Sequence, residues 1–89
     1  KTLNLLEYNM KDLPKWFTKG GGSQYEEGAS VSNPFSGSSA TLNANELSMY
    51  DFITGCQMVP MNKEIQTNFR KALDWFRVAN PEAYMTLLD

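Results

Sequence analysis

Residues 42–89 read LNANELSMYDFITGCQMVPMNKEIQTNFRKALDWFRVANPEAYMTLLD, and the clearest local signal in the chain lies near their start. Asn43 has the side chain of a helix N-cap. Glu46 stands three residues later, where its carboxylate can accept a hydrogen bond from the backbone of the cap residue. The pattern predicts a helix that runs to about Met58 and is ended by Pro60.

A second and stronger periodicity follows, with Asn62 as its candidate N-cap. Apolar residues recur at helical spacing, and charged side chains occupy the other positions. The apolar positions are Ile65, Phe69, Ala72, Leu73, Phe76 and Ala79. Asn80, Pro81 and Glu82 then predict a short final helix, because proline suits the first helical position and an acid suits the positive end of the helix dipole. Residues 42–89 therefore predict a helical hairpin with a short C-terminal helix. The predicted interior includes Ile53, Phe69, Leu73 and Phe76.

The N-terminal residues 1–19 carry another apolar stripe with spacings of three and four, which is typical of an amphipathic helix. Its members are Leu3, Leu6, Met10, Leu13 and Phe17. Because Pro14 interrupts this stripe, we expect a first helix that ends near Lys11 and a short turn of helix at 14–18. The segment is locally basic, since four lysines accompany only two acidic residues.

Between these regions, residues 20–41 read GGGSQYEEGASVSNPFSGSSAT and hold five of the six glycines. They show no sustained period, so they predict a long Gly/Ser-rich loop or arm. Loops beyond about 15 residues are uncommon in compact domains and are usually functional or disordered. The apolar residues Tyr25, Val31, Pro34 and Phe35 are spaced like the anchors of an extended peptide. We therefore expect this arm to become ordered only against a partner surface.

The predicted fold class is mainly α, a small helical hairpin or bundle with a long Gly/Ser-rich loop. A chain of 89 residues accommodates one compact domain. The three segments are the N-terminal amphipathic helical segment 1–19, the loop or arm 20–41, and the helical hairpin 42–89.

Charge, hydropathy and cysteine content argue against nucleic-acid binding, secretion and insertion into a membrane. The net charge of −2 supplies no attraction for phosphate backbones, so we expect no direct binding to nucleic acid. The sequence has neither a secretory apolar region nor an apolar run of about 18 residues. The single cysteine, Cys56, has no second cysteine with which to form an internal disulfide. We expect a protein that is neither secreted nor transmembrane and that works in a reducing compartment.

The sequence offers little for catalysis or metal binding. It has no histidine, the commonest general base and metal ligand. The adjacent acids Glu26 and Glu27 lie in the predicted loop, where nothing is expected to perturb their pKa values. Cys56 lies on the apolar side of its helix, which favours a structural thiol. Gly20 to Gly22 match neither phosphate-binding fingerprint. The sequence therefore predicts no enzyme, no cofactor and no metal site.

Candidate contacts with a partner are aromatic. Trp16 and Phe17 are flanked by lysines, a pattern that suits an acidic partner or a membrane surface, although packing on the hairpin is the favoured alternative. Trp75 beside Phe76 cannot share one helical stripe with it, so its indole either covers the last helix or anchors an interface. Together with three arm residues these form the predicted partner-binding set: Trp16, Phe17, Tyr25, Pro34, Phe35 and Trp75.

Three segments carry a resemblance to a known group of proteins. They are SNPFSG (32–37), ELSMYDFITGCQMV (46–59) and ALDWFRVANPEAYMTLLD (72–89). With them, residues 26–89 resemble small uncharacterised proteins encoded by tailed phages of marine cyanobacteria. The resemblance implies a viral origin and no activity, because that group has no assigned function.

Two hypotheses follow for function. The first is a non-catalytic protein–protein interaction protein, a phage accessory or particle-associated structural component that works in the virion or the host cytoplasm. Its partner is another protein or a second copy of the chain, since a membrane surface suits the composition less well. The alternative is a regulatory protein that binds host or phage machinery through Trp16 and Phe17.

Overall fold

The computed structural model describes residues 12–19 and 24–88, which form helices and one small sheet. The elements in chain order are α1 (Lys15–Lys19), β1 (Ala29–Ser32), β2 (Ser39–Leu42), α2 (Ala44–Cys56), α3 (Lys63–Ala79) and α4 (Pro81–Leu87). Helices dominate, and the antiparallel pair of β1 and β2 is an addition to the predicted architecture. The helix predicted to end near Lys11 lies outside the described residues.

Helix α2 begins at the predicted capping box. The Asn43 side-chain oxygen accepts a hydrogen bond from the Glu46 amide at 2.8 Å, and the Glu46 carboxylate accepts one from the Asn43 amide at 3.0 Å. The helix ends at Cys56, slightly before the predicted end, because the amides of Gln57 and Met58 bond three residues back and tighten the last turn.

The other two predicted caps are also present. The Asn62 side-chain oxygen accepts from the Ile65 amide at 2.8 Å and begins α3. The Asn80 side-chain oxygen accepts from the Ala83 amide at 3.1 Å, and Pro81 takes the first position of α4. Each cap satisfies a helix amide that has no partner within the helix.

Glu46 joins two of these helix starts. Its buried carboxylate also accepts a hydrogen bond from the Asn80 side-chain amide at 3.1 Å. Since Asn80 lies between α3 and α4, this bond fixes the beginning of α2 beside the end of α3. The two helices therefore form the predicted hairpin, and the connection at 57–62 lies at its other end.

The core lies between α2, α3, α4 and β2, with α1 packed against it. Its buried apolar residues are Phe17, Leu42, Met49, Ile53, Ala72, Trp75, Phe76, Ala83 and Leu87. Of the predicted interior, Ile53 and Phe76 are fully buried. Phe69 and Leu73 are only partly buried at its margin, which corrects their predicted position.

Residues 20–41 were predicted as a loop or arm without a regular element, and the structure corrects this. β1 and β2 pair antiparallel with Ala29 opposite Leu42 and Val31 opposite Ala40. Directly opposed residues share a face of the sheet. This face carries half-buried Val31 and Ala40 and fully buried Leu42, so it packs onto the core.

Residues 24–41 of this segment are held by their own chain, a source of order that the sequence prediction assigned to a partner alone. The Tyr25 amide donates to the Ser48 hydroxyl on α2 at 2.8 Å. Gly28 comes so close to the backbone before α2 that a β-carbon there would collide with the Leu42 carbonyl oxygen. β2 packs against α4. The β-hairpin formed by β1 and β2 is thus part of the folded unit.

Candidate functional site

The loop that joins β1 to β2, residues 33–38, is called the Phe35 loop here. The Asn33 side-chain oxygen accepts from the amides of Phe35, at 2.8 Å, and Ser36, at 3.4 Å. Gly37 has a φ of +80°, which glycine adopts without steric cost, and its amide donates to the Asn33 carbonyl at 2.8 Å. The Ser38 amide donates to the Ser36 hydroxyl at 3.2 Å. Local hydrogen bonds therefore define the path of this loop.

The same asparagine fastens the Phe35 loop to the rest of the fold. The Asn33 side-chain amide donates to the Thr86 carbonyl in the last turn of α4 at 3.0 Å. That carbonyl belongs to the group that has no partner within a helix. One side chain thus organises the loop and completes the end of α4.

Phe35 is the most exposed large apolar residue among those described, with 96% of its surface accessible. Pro34 beside it is also exposed and fixes the backbone angle at its own position. Both were predicted as partner contacts, and both lie on the surface. The structure therefore presents an aromatic ring to solvent on a loop that is held in place.

Tyr25 is 43% exposed, so part of its side chain remains available. The hydrogen bond from its backbone amide to the Ser48 hydroxyl places it at the side of α2, whereas the Phe35 loop is bonded to the end of α4. Tyr25 and Phe35, both predicted as arm residues, therefore lie in segments that are attached to different helices of the core.

The other three predicted contacts pack within the protein. Phe17 has 0% of its surface exposed, and its ring lies edge-on to Phe52 at a centroid distance of 5.6 Å. Trp16 is half-buried, with its ring 5.6 Å from that of Phe52. As a correction, Phe17 has no surface with which to bind a partner, because α1 is packed against α2.

Trp75 is likewise placed inside. It is 8% exposed, and its indole N–H donates to the Asp12 carbonyl at 2.9 Å. The expectation that Trp75 and Phe76 cannot both face the core is corrected: Phe76 packs near Tyr50 of α2, while the residues before α1 bond to Trp75. Burial leaves Trp75 little surface with which to anchor an interface, and it belongs to the same buried cluster as Ala83 and Leu87 of the last helix.

A second exposed apolar surface was not predicted from the sequence. The residues of loop 58–61, between α2 and α3, are all exposed, and Met58 has 84% of its surface accessible. The available signal was the run Met-Val-Pro-Met at a position where a helix connection usually carries polar turn residues.

A cleft of about 550 Å³ lies between the base of the β-hairpin and the helix starts. Gly28, Leu42, Glu46 and Asn80 are among the residues that line it. The side chains of Glu46 and Asn80 at this cleft hold the starts of α2 and α4 by hydrogen bonds, so they serve the fold.

Burial raises the pKa of the Cys56 thiol above its ordinary value, because an apolar surrounding disfavours the thiolate. A neutral thiol is a poor nucleophile. In the described parts of the chain, no three His, Cys, Asp or Glu side chains are grouped so that they could hold a metal ion.

Among the described helices, none is both long and apolar enough to cross a bilayer. The sequence matches no protein-family model, and comparisons with curated proteins and with solved structures found no similar chain.

Proposed function

We propose that this chain is a non-catalytic protein–protein interaction protein that uses the Phe35 loop as its principal contact. The observation that carries this proposal is the 96% exposure of the Phe35 ring on a loop in which Asn33 makes five hydrogen bonds. An exposed aromatic ring has no stabilising role in the isolated fold. It supplies the kind of anchor that dominates binding energy at interfaces.

The organisation of the loop supports this role energetically. Association costs about 0.5–1.5 kcal/mol for each flexible side chain that becomes immobilised, and further energy when a loop must be ordered. Part of the entropy cost of ordering the loop is met on folding and not on binding, because the Asn33 side chain links the loop to Thr86. The neighbouring Ser36 and Ser38 are small and uncharged, so a partner pocket can enclose the ring without burying a charge.

The biological setting is part of the proposal: a phage accessory or particle-associated structural component, in the virion or in the host cytoplasm. It is supported by the resemblance of residues 26–89 to small proteins of cyanobacterial tailed phages. The regulatory alternative used Trp16 and Phe17 as the contact. It has less support, because Phe17 is fully buried.

The experiment is site-specific photo-crosslinking in infected cells. A photoreactive phenylalanine analogue replaces Phe35 in one variant and Val78 in a control, since Val78 is also an exposed apolar residue, 65% accessible, but lies on α3. We expect one protein to be captured from position 35 and not from position 78. Equal capture from both positions, or none from position 35, would contradict the proposal.

Mass spectrometry of purified particles separates the two settings. A structural component is present at a fixed ratio to known particle proteins, whereas a regulator that binds host or phage machinery is absent from particles. A fixed ratio that is lost in Phe35→Ala and retained in Val78→Ala would link the particle role to the same loop.

A further inference from the structure

β1 is the outer strand of the two-stranded sheet. β2 packs against α4 and leads directly into the cap of α2, whereas β1 pairs with β2 alone among residues 12–19 and 24–88. Three of the four residues of β1 are exposed, and Val31 is half-buried on the core-facing side. The edge of β1 that does not pair with β2 therefore has no partner strand in the described part of the chain.

The hydrogen bonds of the hairpin show which backbone groups point to that free edge. The Asn33 amide donates to the Ser38 carbonyl at 2.7 Å, and these two residues continue the register of the strands. In an antiparallel ladder, bonded residues alternate with residues whose N–H and C=O point outward. Val31 therefore bonds to β2, and Ser30 and Ser32 direct their backbone groups to the free edge.

In the described part of the chain, β1 itself carries none of the features that usually protect an edge strand from pairing. Natural proteins shield edge strands with charged side chains, proline or bulges. Residues 28–45 contain no charged side chain, and β1, with the sequence Ala-Ser-Val-Ser, contains no proline. The outer face of the hairpin carries only hydroxyl groups, from Ser30, Ser32, Ser39 and Thr41. Small, neutral side chains leave the backbone groups accessible.

We propose that the free edge of β1 pairs with β1 of a second copy of this chain, antiparallel about a two-fold axis at Val31, to form a four-stranded sheet. Ser30 of each copy then exchanges two backbone hydrogen bonds with Ser32 of the other. A two-fold axis at Val31 places residue 31 opposite itself and residue 30 of each copy opposite residue 32 of the other, so like charges at these positions would repel. β1 carries no charge and meets no such repulsion.

The same chemistry favours a second copy over a foreign strand. Recognition of a foreign strand relies on pockets or charges beside the edge for specificity, in addition to main-chain hydrogen bonds. The outward-facing groups of β1 are backbone amides, carbonyls and serine hydroxyls. A short neutral strand of small residues is the complement, and each copy of the protein supplies one.

This inference goes beyond the proposed function, because it assigns a different surface and a different partner. The dimer carries two Phe35 loops, one on each hairpin. Two linked contacts raise the avidity for a repetitive surface far above the affinity of either contact alone. Each surface can be tested without the other.

Sedimentation equilibrium of the full chain over a concentration series tests the proposal. We expect the apparent mass to rise from 10.1 kDa toward twice that value. Ser30→Pro removes an outward N–H without touching the β1–β2 ladder, so this variant should remain near 10.1 kDa. An apparent mass that stays at 10.1 kDa for the unmodified protein at all concentrations would overturn the proposal.

A charge pair keeps the test independent of any folding defect in the proline variant. Ser30→Lys with Ser32→Lys places like charges opposite each other across the two-fold axis and should prevent association. Ser30→Lys with Ser32→Glu places opposite charges there and should retain it. Equal association of both double variants would overturn the proposed pairing.

Phe35→Ala should leave the dimer intact, and dissociation of this variant would overturn the assignment to the edge of β1. The two proposals fail in different ways. Capture from position 35 by a monomeric protein would refute only the dimer. A β1-dependent dimer without capture would refute only the proposed contact through Phe35.

Discussion

The side-chain amide of Asn33 lies 3.0 Å from the Thr86 carbonyl, and this hydrogen bond connects the Phe35 loop to the end of α4 across 53 positions of sequence. The side-chain oxygen of the same residue accepts the amides of Phe35 and Ser36. The position of the exposed ring therefore depends on one asparagine, and its two functional groups have separable roles.

Asn33→Asp should separate those roles. The carboxylate keeps the acceptor for the Phe35 amide but removes the donor to Thr86, and it places a negative charge near a carbonyl at the negative end of α4. We expect amide exchange of Phe35 to stay slow while the last turn of α4 exchanges faster. Asn33→Ala should accelerate exchange at both places. Identical exchange at Phe35 in the unmodified chain and in Asn33→Ala would show that the side chain does not organise the loop.

Glu46→Ala should destabilise the protein by about 1–3 kcal/mol, because it leaves the Asn43 amide and the Asn80 side-chain amide without their acceptor in a buried place. Glu46→Gln retains a side-chain oxygen and should cost less. Urea unfolding monitored by circular dichroism measures both. Equal losses for the two variants would mean that the negative charge, and not the acceptor, is what matters.

Phe76→Ala should lower the free energy of unfolding by about 3–5 kcal/mol, since the ring is fully buried against α2. Phe69→Ala removes the same atoms from a partly buried site at the margin of the core and should cost distinctly less. Thermal or urea unfolding compares the pair. A larger loss for Phe69→Ala would contradict the placement of the core.

Cys56 should react slowly with a thiol reagent at neutral pH, because burial raises its pKa and keeps the thiol neutral. The unfolded chain should react at an ordinary rate. Since the folded state disfavours the thiolate, this contribution to stability is present below the ordinary thiol pKa and is lost as the pH rises through the higher folded value. Cys56→Ala should abolish that loss. Labelling in the native state as fast as in urea would contradict the burial.

The helical part of the fold was predictable because its signals are local. Asn43, Asn62 and Asn80 each stand directly before their helix, and a cap contacts only residues two or three positions away. The exposure of Phe35 and Pro34 was also expected, because the segment around them offers few apolar residues with which to bury them.

The β-hairpin was missed although its alternation is present in the sequence. Ala-Ser-Val-Ser and Ser-Ala-Thr-Leu each alternate an apolar residue with a hydroxyl, on either side of an Asn-Pro-Phe-Ser-Gly turn. Alanine and serine have little preference for strands, so the pattern was weak. The pairing of β1 with β2 is stabilised by burial of Leu42 in the core and by the contact of β2 with α4. Both are tertiary interactions, which a local pattern does not reveal.

Trp75 and Phe17 could not be assigned from spacing alone. Trp75 and Phe76 occupy adjacent positions on α3 and point in different directions, so both can be buried only if two different elements cover them. The hydrogen bond from Trp75 to the Asp12 carbonyl shows that residues before α1 supply the second cover. No pattern in the sequence specifies that contact, because its partners are 63 positions apart.

The most direct test of the proposed function is the affinity of Phe35→Ala for the protein captured from position 35, measured by isothermal titration calorimetry beside the unmodified chain and Val78→Ala. Loss of an anchoring ring should cost at least about 2 kcal/mol, roughly a thirtyfold rise in Kd. Val78→Ala should bind like the unmodified chain, and all three should unfold at the same temperature. A Kd for Phe35→Ala within about threefold of the unmodified value, less than 1 kcal/mol, would contradict the central role of the Phe35 loop.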